Sequence, residues 1–199
     1  MPEPRAILAA AALAAAAGCF NEPEPAYKTV PPDMRVYASG GDLESLDDVA
    51  RSWRADIDYL NLDRNRLDNV DALARFAALK WLRLNSNRLS DLPDLGALVS
   101  LRRIYLRDNR FEKVPETLKD LPSLTDIDLS GNPLSEIPVW LAEKKGLENL
   151  SFSGTRIEKL PEDISAWRSL KSLQLGDLDL SAAEMARIRS ALPHTAIVF

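Results

Sequence analysis

Residues that could perform catalysis are sparse in this 199-residue chain. It contains one cysteine, Cys19, and one histidine, His194, which lie near opposite ends of the sequence. A zinc site needs a cluster of such ligands, and a nucleophilic cysteine needs a neighbouring base. The chain also lacks a glycine-rich loop of the phosphate-binding form. The sequence therefore predicts no catalytic residue, no metal site and no cofactor, and it favours a structural or solvated role for His194.

Asp126 and Asp128 have a spacing that could suit general acid–base chemistry. Two residues apart on a β-strand, both carboxylates would project from one face. Acid–base work requires a pocket that shifts a pKa, and an open sheet face offers little burial. We therefore interpret the pair as surface acids beside arginine, and we predict that the protein is not an enzyme.

A second group of residues is suited to recognition rather than catalysis. Tyrosine, tryptophan and arginine dominate interface hot spots because they bury a large area and keep a polar group. Six such residues, which we name the aromatic–arginine patch, occupy alternating positions in three neighbouring segments: Tyr59, Trp81, Arg83, Arg103, Tyr105 and Arg107. Together with Asp126 and Asp128 they form the predicted partner-binding surface. In the alternative interpretation, Trp81 and Tyr105 only cover the sheet, and Arg103 and Arg107 pair with the two aspartates.

These residues are positioned by an eleven-residue phrase that recurs six times at steps of 22 or 23 residues. Its first, fourth, sixth and eleventh places are aliphatic or aromatic. The copies are IDYLNLDRNRL from Ile57, LKWLRLNSNRL from Leu79, LRRIYLRDNRF from Leu101, LTDIDLSGNPL from Leu124, LENLSFSGTRI from Leu147 and LKSLQLGDLDL from Leu170. The fourth and sixth places have the period of a strand, so they predict core-facing pairs, and the third, fifth and seventh places face the other way. One unit of this length cannot bury its apolar face alone, so the copies must stack.

The phrase L-x-x-L-x-L-x-x-N-x-L resembles the leucine-rich repeat family. The resemblance covers about residues 57–180 and implies an α/β solenoid, with a curved parallel sheet whose concave face is open and short helices or turns on the convex side. It also implies a binding scaffold, without naming the ligand. In that family the asparagines of the ninth place stack as a structural ladder, a role that the match carries to Asn65, Asn87, Asn109 and Asn132. Thr155 replaces asparagine in the fifth copy, where we expect it to keep part of the bonding, and Leu178 cannot bond in the sixth.

The N-terminus resembles a bacterial lipoprotein signal. An uncharged stretch over residues 6–17 ends in AAGC, and twelve apolar residues are too short for a bilayer-spanning helix but fit a signal-peptide core. The resemblance implies cleavage after Gly18 and lipid attachment to Cys19, with a signal peptide over residues 1–18. It also implies export and membrane anchoring, with outer-membrane sorting favoured. Conventional secretory cleavage, or a misassigned start codon, remains the alternative.

The flanks of the repeats are assigned from composition and spacing. Residues 19–33 are proline-rich and predict an extended tether. Residues 34–56 predict an N-terminal cap, with Leu43, Leu46, Val49 and Trp53 at helical spacing. Residues 181–199 predict a C-terminal cap with a helix and a last strand. The pattern leaves open whether Ile197 and Phe199 or their neighbours face the core.

Composition is consistent with a repeat domain. The chain is 46% hydrophobic with a net charge of −5, which argues against general nucleic-acid binding through phosphate neutralisation. The combined interpretation is a non-enzymatic module on the bacterial envelope that binds a protein or peptide through the open sheet face. A carbohydrate or cell-wall binder, or a purely structural envelope lipoprotein, is the alternative.

Overall fold

A computed structural model describes residues 34–199. The predicted signal peptide, the lipidation site at Cys19 and the proline-rich tether lie outside the described residues. Within residues 34–199, none of the helices has both the length and the apolar composition needed to cross a bilayer.

The described residues form one sheet of eight parallel strands, in which spatial order equals chain order. All strands are three residues long: β1 (Arg35–Tyr37), β2 (Tyr59–Asn61), β3 (Trp81–Arg83), β4 (Arg103–Tyr105), β5 (Asp126–Asp128), β6 (Asn149–Ser151), β7 (Ser172–Gln174) and β8 (Ala196–Val198). A parallel sheet in which every strand pairs only with its sequence neighbours is the architecture of a solenoid. The predicted leucine-rich-repeat fold class is confirmed.

The sheet keeps one register along its length. Leu60 pairs with Leu82, Leu82 with Ile104, and Ile104 with Ile127, so the fourth places of successive phrases lie side by side. The third and fifth places are aligned in the same way. Because side chains alternate across a strand, one face of the sheet carries the aliphatic residues, and the other, which we call the open face, carries the third, fifth and seventh places.

One continuous hydrophobic core fills the solenoid behind the sheet. The fourth and sixth places of every phrase are buried, and Leu60, Leu82 and Leu150 have no exposed surface. Fully burying a side chain of this size stabilises the fold by about 1.5–3 kcal/mol. Trp167 is also fully buried, and its indole Nε1 donates to the carbonyl of Leu141 at 2.8 Å. The aliphatic period thus explains where the strands form and why the repeats must stack.

Short helices and irregular segments return the chain from one strand to the next. They include three 3₁₀ helices, Asp71–Arg75, Glu116–Leu118 and Ser165–Ser169, and the α-helices α1 (Asp47–Ala50), α2 (Val139–Glu143) and α3 (Ala182–Ala191). Pro115 and Pro138 directly precede two of these helices with extended backbone, as suits a residue that lacks an N–H group.

Both ends of the solenoid are covered. At the N-terminal end, β1 extends the sheet by one strand beyond the first phrase, and Leu46 and Ala50 around α1 are buried. At the C-terminal end, the Ser181 hydroxyl caps α3 by accepting from the Glu184 N–H at 3.2 Å. Ile197 and Phe199 pack against the core while Ala196 and Val198 are exposed, which decides the register that the sequence left open.

The asparagines of the ninth place bridge consecutive repeats. Asn109 Nδ2 donates to the Leu84 carbonyl at 2.9 Å and to the Leu106 carbonyl at 3.0 Å, while its Oδ1 accepts from the Leu89 N–H at 3.1 Å. The corresponding bonds recur in the three other copies, at Asn65, Asn87 and Asn132. Thr155 departs from the expectation: its hydroxyl is buried without a hydrogen-bond partner in the described part of the chain, because a threonine side chain is too short to bridge two carbonyls.

Candidate functional site

The predicted binding residues lie side by side on the open face. Tyr59 pairs with Trp81, Trp81 with Arg103, and Arg103 with Asp126, so the third places form one row across β2–β5. Arg83, Tyr105 and Asp128 form the adjacent row of fifth places. Arg107 follows Tyr105 by two residues, at the seventh place. The structure therefore brings all eight predicted residues together on four consecutive strands.

The aromatic residues of the open face are less exposed than the sequence predicts. Tyr59 and Tyr105 are buried, with 6% and 5% of their surface exposed. Trp81 is partly buried, as are the three arginines of the patch, and Arg103 retains 23% exposure of its side chain. The expectation was wrong for the tyrosines because residues of neighbouring strands cover their rings. Arg83 lies over Tyr105, and the Tyr37 ring packs against Tyr59 at 5.2 Å.

Arg83 illustrates this shielding. Its guanidinium carbon lies 5.4 Å from the centroid of the Tyr105 ring on the next strand, which is within cation–π range. On the other side, its Nε donates to Asp63 Oδ2 at 2.8 Å. Asp63 is itself buried, and its second oxygen accepts from the Asn85 N–H at 2.8 Å. Arg83 is thus held by contacts on both sides within the protein.

Arg103 has a weaker contact with its aspartate than Arg83 has. Its guanidinium carbon lies 5.8 Å from the centroid of the Trp81 ring, and its Nε is 3.8 Å from Asp126 Oδ2. That separation allows an ionic interaction but is too long for a hydrogen bond. The carboxylate of Asp126 instead accepts hydrogen bonds from the Thr125 hydroxyl and, at 2.6 Å, from Asn149 Nδ2. The ion pair of the alternative interpretation therefore exists between Arg103 and Asp126, with long geometry.

Arg107 has one ionic partner that was not considered in the sequence. Its Nε lies 3.3 Å from Asp108 Oδ2, and that carboxylate is half exposed. Salt bridges of this exposure typically contribute about 0–1 kcal/mol because solvent screens them and ordering two long side chains opposes them. The contact leaves the cationic end of Arg107 at the border of the open face, where 35% of the side chain is exposed.

Asp128 is not the surface acid that the sequence predicted, because only 1% of it is exposed. One of its carboxylate oxygens accepts from the Ser130 backbone N–H at 3.0 Å and from the Ser130 hydroxyl. The Ser130 hydroxyl also contacts the Ser151 hydroxyl on the next strand, and both serines are buried. The cluster ties β5 to β6.

Two open-face residues were not recognised from the sequence. Arg35 and Tyr37 lie on β1, in register with Tyr59 and Asn61. The Tyr37 and Tyr59 rings are 5.2 Å apart, and Tyr37 is 40% exposed. The segment Arg35–Tyr37 has the alternation of a strand but only one aliphatic residue, Val36, so it carried too little of the repeat phrase to be identified. These residues extend the aromatic–arginine patch by one strand.

The residues considered for catalysis do not assemble into a site in the described chain. His194 is exposed in the turn before β8, at the opposite end of the sheet from the patch. Within residues 34–199, histidine, cysteine, aspartate and glutamate form no group of three or more that could hold a metal ion. The open face is thus the feature whose residue types and geometry are suited to a function.

Comparison with known proteins agrees with the repeat architecture. Residues 99–141, which contain the third and fourth phrases, match the family described as Leucine Rich repeats (2 copies). Among solved structures, a leucine-rich repeat protein from Leptospira interrogans is similar over 71% of this chain, with 22% identity and a TM-score of 0.42. The similar region spans 55% of that protein's chain, so slightly more than half of its length. The chain matches no curated protein sequence.

Proposed function

We propose that this protein is a non-enzymatic interaction module that binds a protein or peptide through the open face of its sheet. Leucine-rich repeats typically serve protein interaction, and the chain is built from them. The observation that carries the proposal is the aromatic–arginine patch, in which three arginines and Trp81 lie on neighbouring strands and remain partly accessible. The binding region is centred on β3 and β4.

The geometry favours recognition because the side chains are already ordered. Arg83 and Arg103 each lie over an aromatic ring, at 5.4 and 5.8 Å. Ordering a long side chain at an interface typically costs about 0.5–1.5 kcal/mol, and stacking reduces what is lost on binding. Arginines supported by aromatic rings can therefore contact a partner with little reorganisation.

The rest of the open face provides a polar border. Beyond β5 its side chains are small or polar, including the partly exposed Asn149, Ser153 and Gln174. Interfaces commonly combine a few large anchors with a polar rim that forms hydrogen bonds and holds water. We therefore place the energetically important contacts on β3 and β4 and a weaker polar border on β6 and β7.

Carbohydrate binding receives less support than protein binding. Sugar recognition by stacking requires an accessible aromatic face. Tyr59 and Tyr105 are buried, and Arg103 lies over the ring of Trp81, so Tyr37 at the N-terminal edge is the one aromatic residue that the described open face leaves exposed. The same arrangement leaves arginine groups, rather than ring faces, directed at an incoming ligand.

The second part of the proposal is display on the bacterial envelope through lipid on Cys19. It rests on the AAGC signal and on the proline-rich segment that follows it. A tether over residues 19–33 would reach at most about 46 Å from the membrane surface in polyproline geometry, at about 3.1 Å per residue. Such a spacing would leave the open face accessible to a partner in the same compartment.

Partner capture from the native envelope tests the binding proposal. The full chain is crosslinked in cells, purified and examined by mass spectrometry, alongside a double variant with Trp81→Ala and Arg103→Ala. A matched control carries Trp140→Ala and Arg102→Ala, which remove the same residue types outside the open face. We expect a partner that is lost with the first pair and kept with the second. Equal recovery with both pairs would reject the open face as the binding surface, and purified cell-wall glycan bound in place of protein would reject a protein partner.

A further inference from the structure

Arg103 has unused hydrogen-bonding capacity at the centre of the open face. A guanidinium carries five N–H donors, yet among the described residues that of Arg103 forms no hydrogen bond. Its polar contact is the 3.8 Å separation from Asp126 Oδ2, and its other contact is the Trp81 ring. Since 23% of the side chain is exposed, a partner can reach it. The group is oriented by stacking but remains free to bind an acceptor.

The neighbouring carboxylate cannot easily take up these donors. Asp126 Oδ1 accepts from Asn149 Nδ2 at 2.6 Å, and Oδ2 accepts from the Thr125 hydroxyl. Both oxygens therefore accept hydrogen bonds from other donors, and only 5% of the residue is exposed. Asp126 is held in place at a distance that balances the charge of Arg103 without satisfying its hydrogen bonds.

A second hydrogen-bond donor, on the strand next to Arg103, also lacks an acceptor in the described chain. The indole Nε1 of Trp81 is buried, and within residues 34–199 it has no hydrogen-bond acceptor. Trp81 and Arg103 are paired residues on adjacent strands. Because Nε1 is buried, the donors that a ligand can reach here are those of Arg103, and they suit a ligand that carries acceptor oxygens.

The net charge of the open face also favours a ligand that carries acceptor oxygens. Its third, fifth and seventh places in the described chain hold four arginines (Arg35, Arg83, Arg103 and Arg107) and three aspartates (Asp63, Asp126 and Asp128). This face therefore has a formal charge of about +1, whereas the whole chain has −5. An acidic ligand would be attracted to the patch and repelled by much of the remaining surface.

We infer that the partner presents an acidic peptide segment, in which an aspartate or glutamate carboxylate binds the guanidinium of Arg103. This inference rests on the proposed function and specifies the chemistry of the partner. A carboxylate matches the two parallel donors of a guanidinium and carries one negative charge. A doubly charged phosphate would suffer more repulsion from Asp126, which is 3.8 Å from Arg103. The amide and hydroxyl groups on β6 and β7 suit the peptide groups on either side of the acid.

Selection from a random library of displayed twelve-residue peptides, using the full chain as the target, tests the inference. We expect aspartate and glutamate to be enriched, and we expect replacement of the enriched acid by its amide to weaken binding at least tenfold. The variant Arg103→Ala should weaken binding to a similar degree. The variant Arg102→Ala, which removes the adjacent exposed arginine, should leave affinity within about twofold.

The remaining outcomes distinguish failure of the acidic-partner inference from failure of the proposed function. Neutral or basic peptides that lose binding with Trp81→Ala would overturn the acidic-partner inference but retain the open face as the binding surface. Selected peptides insensitive to both Trp81→Ala and Arg103→Ala would overturn the inference together with the proposed function. Polygalacturonate that competes more strongly than any selected acidic peptide would overturn the peptide assignment, because it would assign the carboxylate to a glycan.

Discussion

The Nε atom of Arg83 donates to Asp63 Oδ2 at 2.8 Å, across the pair of strands β2 and β3. One strand further along, Arg103 Nε and Asp126 Oδ2 are 3.8 Å apart. The nitrogen–oxygen distances of these two arginine–aspartate pairs thus differ by 1.0 Å. The first pair forms a hydrogen-bonded salt bridge, and the second leaves its arginine available.

This difference predicts opposite effects on stability and binding. Arg83→Ala leaves the buried carboxylate of Asp63 without its charged partner, so we expect a loss of about 1–3 kcal/mol in the free energy of unfolding. Arg103→Ala leaves Asp126 with its two other hydrogen bonds, and we expect a loss below about 1 kcal/mol. Urea unfolding of both variants measures these losses. Greater destabilisation by Arg103→Ala would show that its long contact with Asp126 is structural.

The asparagine ladder gives a second prediction. Asn109→Ala removes the hydrogen bonds to the carbonyls of Leu84 and Leu106 and leaves the Leu89 N–H without its acceptor. We expect a loss of about 2–4 kcal/mol because these backbone groups are buried. Thr155→Val removes a buried hydroxyl that has no partner, so it should be neutral or stabilising. Urea unfolding compares the two, and equal losses would contradict the assigned difference between the two positions.

Glu184 gives a prediction for pH dependence. Hydrogen bonding from Arg187, at 2.8 Å for Nε and 2.7 Å for Nη2, lowers the pKa of Glu184 below its ordinary value of 4.5, and the Leu160 N–H contributes further. A lowered folded-state pKa means that stability is present above about pH 4.5 and is lost as the pH falls through the folded value. Glu184→Gln should therefore lose about 1–3 kcal/mol at pH 7 and progressively less below pH 4.5.

Unfolding curves measured from pH 7 down to pH 3 check this prediction. Glu158→Gln, at an exposed position of the preceding repeat, is the matched control and should change stability by less than about 0.5 kcal/mol throughout. A loss for Glu184→Gln that stays constant across the range would show that the charge of Glu184 does not support the cap.

Membrane attachment predicts a change in fractionation. Cys19→Ser removes the thiol that would carry the lipid, so we expect the protein to move from the membrane fraction to the soluble fraction after cell lysis. Metabolic labelling with a fatty-acid analogue should mark the original chain and not the variant. Membrane association that persists in Cys19→Ser, in the absence of labelling of the original chain, would reject lipidation at this residue.

The strand positions were predictable because the same short pattern of buried residues recurs in every repeat. Aliphatic residues at the fourth and sixth places, such as Leu60 and Leu62, can be buried together only if the copies stack in one register. The phrase therefore determined which residues face the core and which face outward. Strand β1 could not be identified from this pattern, since Val36 is its only aliphatic residue.

Exposure on the open face was harder to predict because it depends on contacts between strands. Alternation places Tyr105 on the open face, but it does not reveal that Arg83 from the adjacent strand lies over the ring. Likewise, it does not reveal that Asp128 is buried in a hydrogen-bonded cluster with Ser130 and Ser151. Side-chain length and direction in neighbouring repeats determine these outcomes, whereas the sequence pattern specifies only the face.

Site-specific photocrosslinking tests the central claim most directly, because it asks which side of the sheet touches the partner. Trp81 on the open face and Trp140 on α2 are each replaced with p-benzoylphenylalanine, which preserves an aromatic side chain at both partly buried positions. After irradiation in cells, we predict a discrete crosslinked protein from position 81 and none from position 140. Crosslinking from position 140 alone would contradict the account, because it would place the partner on the helical side of the solenoid.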